Sequence, residues 1–144
     1  MSYTRRAFLL GGLATAASVA FNDFAGAISP DISHGPRSGK KVALTFHGAG
    51  DPAIANSILN ILGNTNTHVS IFAVGTFLKS NPEFAKKILD GGHDLGNHTM
   101  THTQMKTISA KQVDAEISGC ANILKKLVGN HGSFFRPSGT QYST

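Results

Sequence analysis

Cysteine occurs once, tryptophan is absent and tyrosine occurs twice among these 144 residues. A lone thiol, Cys120, excludes an intramolecular disulfide framework, so an apolar core must hold the fold. Cys120 falls within helix-spaced residues and is expected to be a small buried side chain. With no Trp and two Tyr, the chain offers few aromatic rings with a polar handle for stacking on a ligand. Acidic residues are also few: 8 Asp and Glu against 13 Lys and Arg give a formal net charge of +5. The lysines are dispersed as Lys40-Lys41, Lys86-Lys87 and Lys125-Lys126. Scattered pairs of this kind are solvated faces, which argues against nucleic acid as a partner.

No apolar run is long enough for a firm membrane span. The longest, Phe8 to Ala20, is rich in Ala, Gly and Leu and falls short of the roughly 20 strongly apolar residues a span needs. It follows Arg5-Arg6 and precedes the small-x-small triplet Ala25-Gly26-Ala27. That order is the grammar of a removable export signal of the twin-arginine type over residues 1–27. The expected product is exported (extracellular, cell wall or periplasm) and keeps no stable membrane span. Residues 28–39 read as a Pro/Gly/Ser-rich linker. Its "SGKK" is not a phosphate loop, because Gly35 to Gly39 is one residue too short and precedes a strand.

From Lys40 onward the pattern alternates. Val42–Phe46 is a short apolar run of strand type. Pro52–Leu62 has helical spacing, with Asp51 as N-cap and Pro52 at the first helical position. Val69–Val74 is a second strand. Asn81-Pro82 opens a helix that Gly91-Gly92 closes. His93–Asn97 is a third strand. Ser109–Val128 is the longest helix, with a Ser109/Gln112 capping box and Gly129 at its end. Phe134-Phe135 begins a fourth strand. The order β-α-β-α-β-α-β predicts an α/β fold with a parallel sheet and right-handed crossovers.

Sites in such folds gather at the C-terminal ends of the strands. Three polar clusters fall there: His47–Asp51, His98–His102 and Arg136–Gly139. His98 and His102, four apart, can ligate one divalent ion through their imidazoles. They are not an H-E-x-x-H pair, since Thr99 stands where the glutamate would be. The plain alternative is two surface histidines in a threonine-rich loop.

"LTFHGAGDP", "FAVG", "GGHDLGNHTMTH" and "FFRPSG", in this order and at these separations, resemble the polysaccharide deacetylases of the NodB homology type, carbohydrate esterase family 4. The resemblance covers about Lys40 to Thr140. It implies the N-terminal part of a distorted (β/α) barrel. It also implies metal-dependent removal of acetyl groups from an N- or O-acetylated polysaccharide such as peptidoglycan or a chitin-like polymer. His98 and His102 are then ligands of a divalent metal, zinc foremost, and His93 and Asn97 are structural.

The first motif of that family usually reads T-F-D-D-G, with a base and then a ligand. Here His47 occupies the base position and Gly48 the ligand position. The expectation is therefore a His98–His102–Asp51 metal site, with His47 or Asp51 as proton acceptor and Asp51 alternatively a helix cap. Arg136 matches the arginine of the family's third motif and is expected to pair with Asp51 or face substrate. The Gly139 amide is a candidate oxyanion donor. The chain stops soon after the fourth expected strand, before the family's later motifs, which reads as a partial domain. A non-catalytic, exported carbohydrate-binding protein or inactive fragment is the competing reading.

Overall fold

The computed structural model describes residues 32, 34, 35, 37–132 and 134–140. The expected export signal lies outside the described residues. From Lys40 onward the described residues form one compact unit. No helix among the described residues is long and apolar enough to cross a membrane.

The unit is built on a three-stranded parallel sheet in the order β1-β2-β3: β1 (Thr45–Gly48), β2 (Ser70–Ala73) and β3 (Asp94–Asn97). β2 is central, and Ile71, Phe72 and Ala73 are all buried. A continuous apolar run is what a parallel strand needs when paired on both edges and covered by helices. The expected fold class is therefore the observed one. Its helices are α1 (Pro52–Asn64), α2 (Gly75–Ser80), α3 (Glu83–Asp90) and α4 (Ala110–Val128).

The caps written in the sequence are made. The Asp51 carboxylate accepts from the Ala53 N–H at 2.8 Å. Ser109 and Gln112 form both halves of a capping box, and Gly129 ends α4 at φ 81°. These satisfy backbone groups that a helix end leaves unpaired. The core joins Leu62, Ile71, Leu78, Phe84, Ile88 and Leu124 across the sheet and helices. Cys120 is fully buried, as expected, with its thiol 3.5 Å from the Ala73 carbonyl.

Three details differ from the pattern reading. β1 begins at Thr45, not Val42, and Val42 is 93% exposed. Pairing starts where β2 becomes available, and before Ser70 the chain is still turning out of α1 through Thr65–Thr67. The Phe134-Phe135 segment makes one parallel bridge, Asn97 to Phe135, in place of a strand. The short helix α2 is additional. Its first N–H groups, from Gly75 and Thr76, donate to the Thr99 and Met100 carbonyls, a tertiary anchor with no local sequence signal.

His93, at the α3–β3 junction, is 5% exposed and its Nδ1 has no hydrogen-bond partner. Burial, then the neighbouring His68, lowers its pKa below the usual 6.5, against a raising contribution from Asp94. An unfolded chain therefore binds the His93 proton more readily than the fold does. The stability this contributes is present above 6.5 and is lost as pH falls through the lower, folded value. Thermal melts should show a falling midpoint from about pH 7.5 to about pH 5.5, with a shallower fall in His93→Gln. Equal slopes in the two proteins would remove His93 from that account.

Candidate metal centre

The third strand delivers the site. Asn97 ends β3 with its side chain used twice: Nδ2 donates to the Ile117 carbonyl on α4 at 2.9 Å, and Oδ1 accepts from the Thr99 N–H at 2.9 Å. The structural role expected for Asn97 is this one. The His98 N–H continues the ladder onto the Ala73 carbonyl at 3.1 Å, which points its ring to the C-terminal edge of the sheet. Thr99 then turns at φ 69° and His102 at φ 62°. A left-handed backbone outside glycine is costly, above all for a β-branched residue, at about 1–3 kcal/mol per position. Thr99 is fully buried, and its hydroxyl accepts from the His102 N–H at 3.1 Å. The turn thereby folds the second histidine back over the first.

The result is a triad. His47 from β1, His98 and His102 each offer one ring nitrogen, and these atoms lie within 4.8 Å of one another. The Nε2 atoms of His98 and His102 are 3.1 Å apart. The His47 ring sits 4.4 Å, centroid to centroid, from that of His98. His98 is fully buried, and its Nδ1 lies 2.8 Å from the Arg136 carbonyl. A carbonyl only accepts, so Nδ1 carries the proton and Nε2 presents its lone pair to the centre of the triad. A backbone carbonyl behind a ligating histidine is the usual way to fix its tautomer. Three imidazoles leaving one position open is a donor set found at catalytic zinc.

Burial first, then the charges of His102 and Arg136, hold His47 below its ordinary pKa. For His98 burial is again the largest cause; its bond to the Arg136 carbonyl opposes it, while His47, His102 and Arg136 add to the lowering. Both rings therefore stay neutral, and able to ligate, to lower pH than a free imidazole.

The other expected residues lie elsewhere. Asp51 is exposed and engaged in capping α1, and the third place in the triad belongs to His47. Arg136 does not pair with Asp51. Its guanidinium donates to the Thr45 hydroxyl at 2.9 Å and lies 4.1 Å over the Phe72 ring. Gly139 sits in the Ser138–Thr140 turn at φ 71° and does not line the cleft beside the triad. That cleft, of about 500 Å³, is lined by His47, Gly50, Thr76, Ser80, Thr101 and His102, with Ala49, Val74, Phe77 and Asn81. The hydroxyls of Thr76 and Ser80 were not singled out from sequence, because α2 was not; Thr101 lay inside the expected His98–His102 cluster but carried no signal of its own.

Asp51→Ala should cost about 1 kcal/mol of stability as a lost N-cap and leave metal binding unchanged in a zinc titration. His98→Ala should weaken binding by more than the roughly 10–100-fold typical of changes behind a ligand. Loss of metal in Asp51→Ala would return the carboxylate to the site.

The chain matches the family model described as polysaccharide deacetylase over residues 34–144. It is 30% identical over 104 residues to a peptidoglycan-N-acetylglucosamine deacetylase of Bacillus cereus, covering 72% of this chain and 48% of that one. The solved structure of peptidoglycan deacetylase PdaC from Bacillus subtilis superposes with a TM-score of 0.67 at 29% identity, over 70% of this chain and 50% of that one. A carbohydrate esterase family 4 pseudoenzyme from Bacillus anthracis superposes with a TM-score of 0.68 at 27% identity, over 74% and 38%. The chain thus spans about half or less of the length of each. The α/β fold is that of the N-terminal part of these NodB-type domains. With the family model matched across most of its length, the chain belongs to the polysaccharide deacetylase family.

Proposed function

We propose that the protein is a metal-dependent hydrolase that removes acetyl groups from an acetylated polysaccharide. The observation that carries this is the histidine triad with the tautomer of its buried member fixed by the Arg136 carbonyl. Zinc is the metal we assign, from three neutral imidazole donors. When bound, it would polarise the acetamide carbonyl and acidify a water, which is the chemistry needed for hydrolysis near neutral pH. The chain's own part is to hold and to orient. His98 supplies Nε2 from a buried, single-tautomer ring. His47 and His102 close the triad from exposed positions at the mouth of the cleft. Thr76 and Ser80 bring neutral hydroxyl groups to that cleft, suited to sugar hydroxyls. Peptidoglycan and chitin-like oligomers are the substrate class; the first is in keeping with the names of the relatives described above. The twin-arginine-type signal expected over residues 1–27 supports action outside the cytoplasm.

A second reading rests on a specific observation. His47 fills the triad and Asp51 caps a helix, so each candidate proton acceptor already has another duty. The chain would then bind metal and glycan without turnover. Acetate release from acetylated chito-oligosaccharides and from peptidoglycan decides between the two. The enzyme reading expects release that a chelator abolishes and zinc restores. Zinc retention with no acetate from either substrate would establish the non-catalytic reading.

A further inference from the structure

We propose that Glu116 is a positioning residue that holds His102 in ligand geometry, an inference that rests on the metal-site reading above. His98 needs no such help, since it is fully buried and pinned at Nδ1. His102 is exposed and sits on left-handed backbone at φ 62°. Something other than packing must keep it there. The residue before it, Thr101, is gripped at two points by one carboxylate. The Thr101 N–H donates to Glu116 Oε2 at 2.8 Å, and the Thr101 hydroxyl donates to Glu116 Oε1 at 2.7 Å. Bonds to an ionised acceptor are the strong kind, and two from one residue fix orientation as well as distance. The Thr101 hydroxyl has spent its only proton on Glu116, so the 2.7 Å contact to Thr103 must be donated by Thr103. Both sides of His102 are thereby tied into one network.

Glu116 is itself rigidly held. It lies in the middle of α4, one residue before Ile117, whose carbonyl receives Asn97, and one turn before Cys120, which packs on the Ala73 carbonyl. One face of α4 thus grips the start of the histidine turn at Asn97 and its end at Thr101. The spacing between His98 and His102 is set by that helix. Glu116 touches neither ring and has no place in the triad.

The test is cobalt(II) titration of the full chain, followed by visible absorption, with a thermal melt of each metal-free protein. Glu116→Gln keeps the size of the side chain but turns an amide NH2 toward one of the Thr101 donors. We expect its cobalt affinity to fall about 10–100-fold, with a change in the absorption band that reports ligand geometry. Glu116→Asp should recover part of the loss. Thr101→Val, which removes the hydroxyl but keeps the N–H bond, should lose less than Glu116→Gln. A purely structural role predicts a lower melting temperature with wild-type affinity and band position, and that outcome overturns the proposal. Should Glu116→Gln fail to fold, wild-type affinity in Thr101→Val overturns it instead. Wild-type protein that takes up no cobalt would overturn the metal reading and this inference with it; normal uptake by both wild type and Glu116→Gln would overturn this inference alone.

Discussion

The hydrogen bond from His98 Nδ1 to the Arg136 carbonyl, 2.8 Å long, ties the chemistry to the architecture. On the histidine side it leaves one tautomer and therefore one nitrogen free for a metal. On the arginine side it belongs to the segment that completes the sheet: the Asn97 N–H donates to the Phe134 carbonyl and the Arg136 N–H to the Asn97 carbonyl. The same residue reaches back with its side chain, over Phe72 of β2 and onto Thr45 of β1. One residue thus contacts all three strands. A buried imidazole in a fully dry setting would otherwise leave a polar nitrogen unsatisfied, at a cost of about 1–3 kcal/mol. His93, just before β3, shows what that looks like.

Much of the frame was legible because its signals are local. Capping residues, proline at a helix start and glycine at a helix end act within one turn, and α1 and α4 carry them at the expected residues. The continuous apolar run of β2 reports burial on both faces. What was not legible depends on distant partners. α2 starts straight from β2 with Gly75, a poor helix former, and is held by carbonyls some two dozen residues away. The strand expected from Phe134 reduces to one bridge, made by the Phe134 and Arg136 backbone on Asn97, and the Arg136 carbonyl then turns to the His98 ring.

The site shows the same division. His98 and His102 stand out through residue type and spacing. The Arg136 carbonyl could not, since every residue has one. Glu116 could not either, since a helix carboxylate reads as surface charge until its partner is known. Asp51 admitted two readings, cap and ligand, and only the fold shows which contact it makes. The arginine was visible as a motif; of the two roles expected for it, the pairing with Asp51 is not made. With no carboxylate in the triad, the guanidinium satisfies itself on a hydroxyl and an aromatic face.

That missing carboxylate has a steric basis in the sheet. Gly48 is paired in register with Ala73. A Cβ at Gly48 would stand 2.9 Å from the Ala73 Cβ, 3.0 Å from its Cα and 3.2 Å from an Ile71 methyl. Two of those atoms belong to Ala73, a fully buried residue whose carbonyl carries both the His98 N–H and the Cys120 thiol. The strand cannot yield there without moving the histidine it positions. An aspartate at position 48 would therefore need Ala73 and Ile71 to shift, and in this packing the third place in the triad is taken by His47 on the same strand. Histidine at 47 takes the place in the triad that glycine at 48 cannot fill with a side chain. It exchanges an anionic ligand for a neutral one, so a divalent ion held by the triad would keep its full charge. That charge would add to the field of Arg136, which already disfavours protonation of His47 and His98. A centre of this kind polarises a carbonyl more strongly than one with a carboxylate ligand, but it provides no anionic base of its own. Whether the chain turns over substrate or only holds it depends on where a proton acceptor enters.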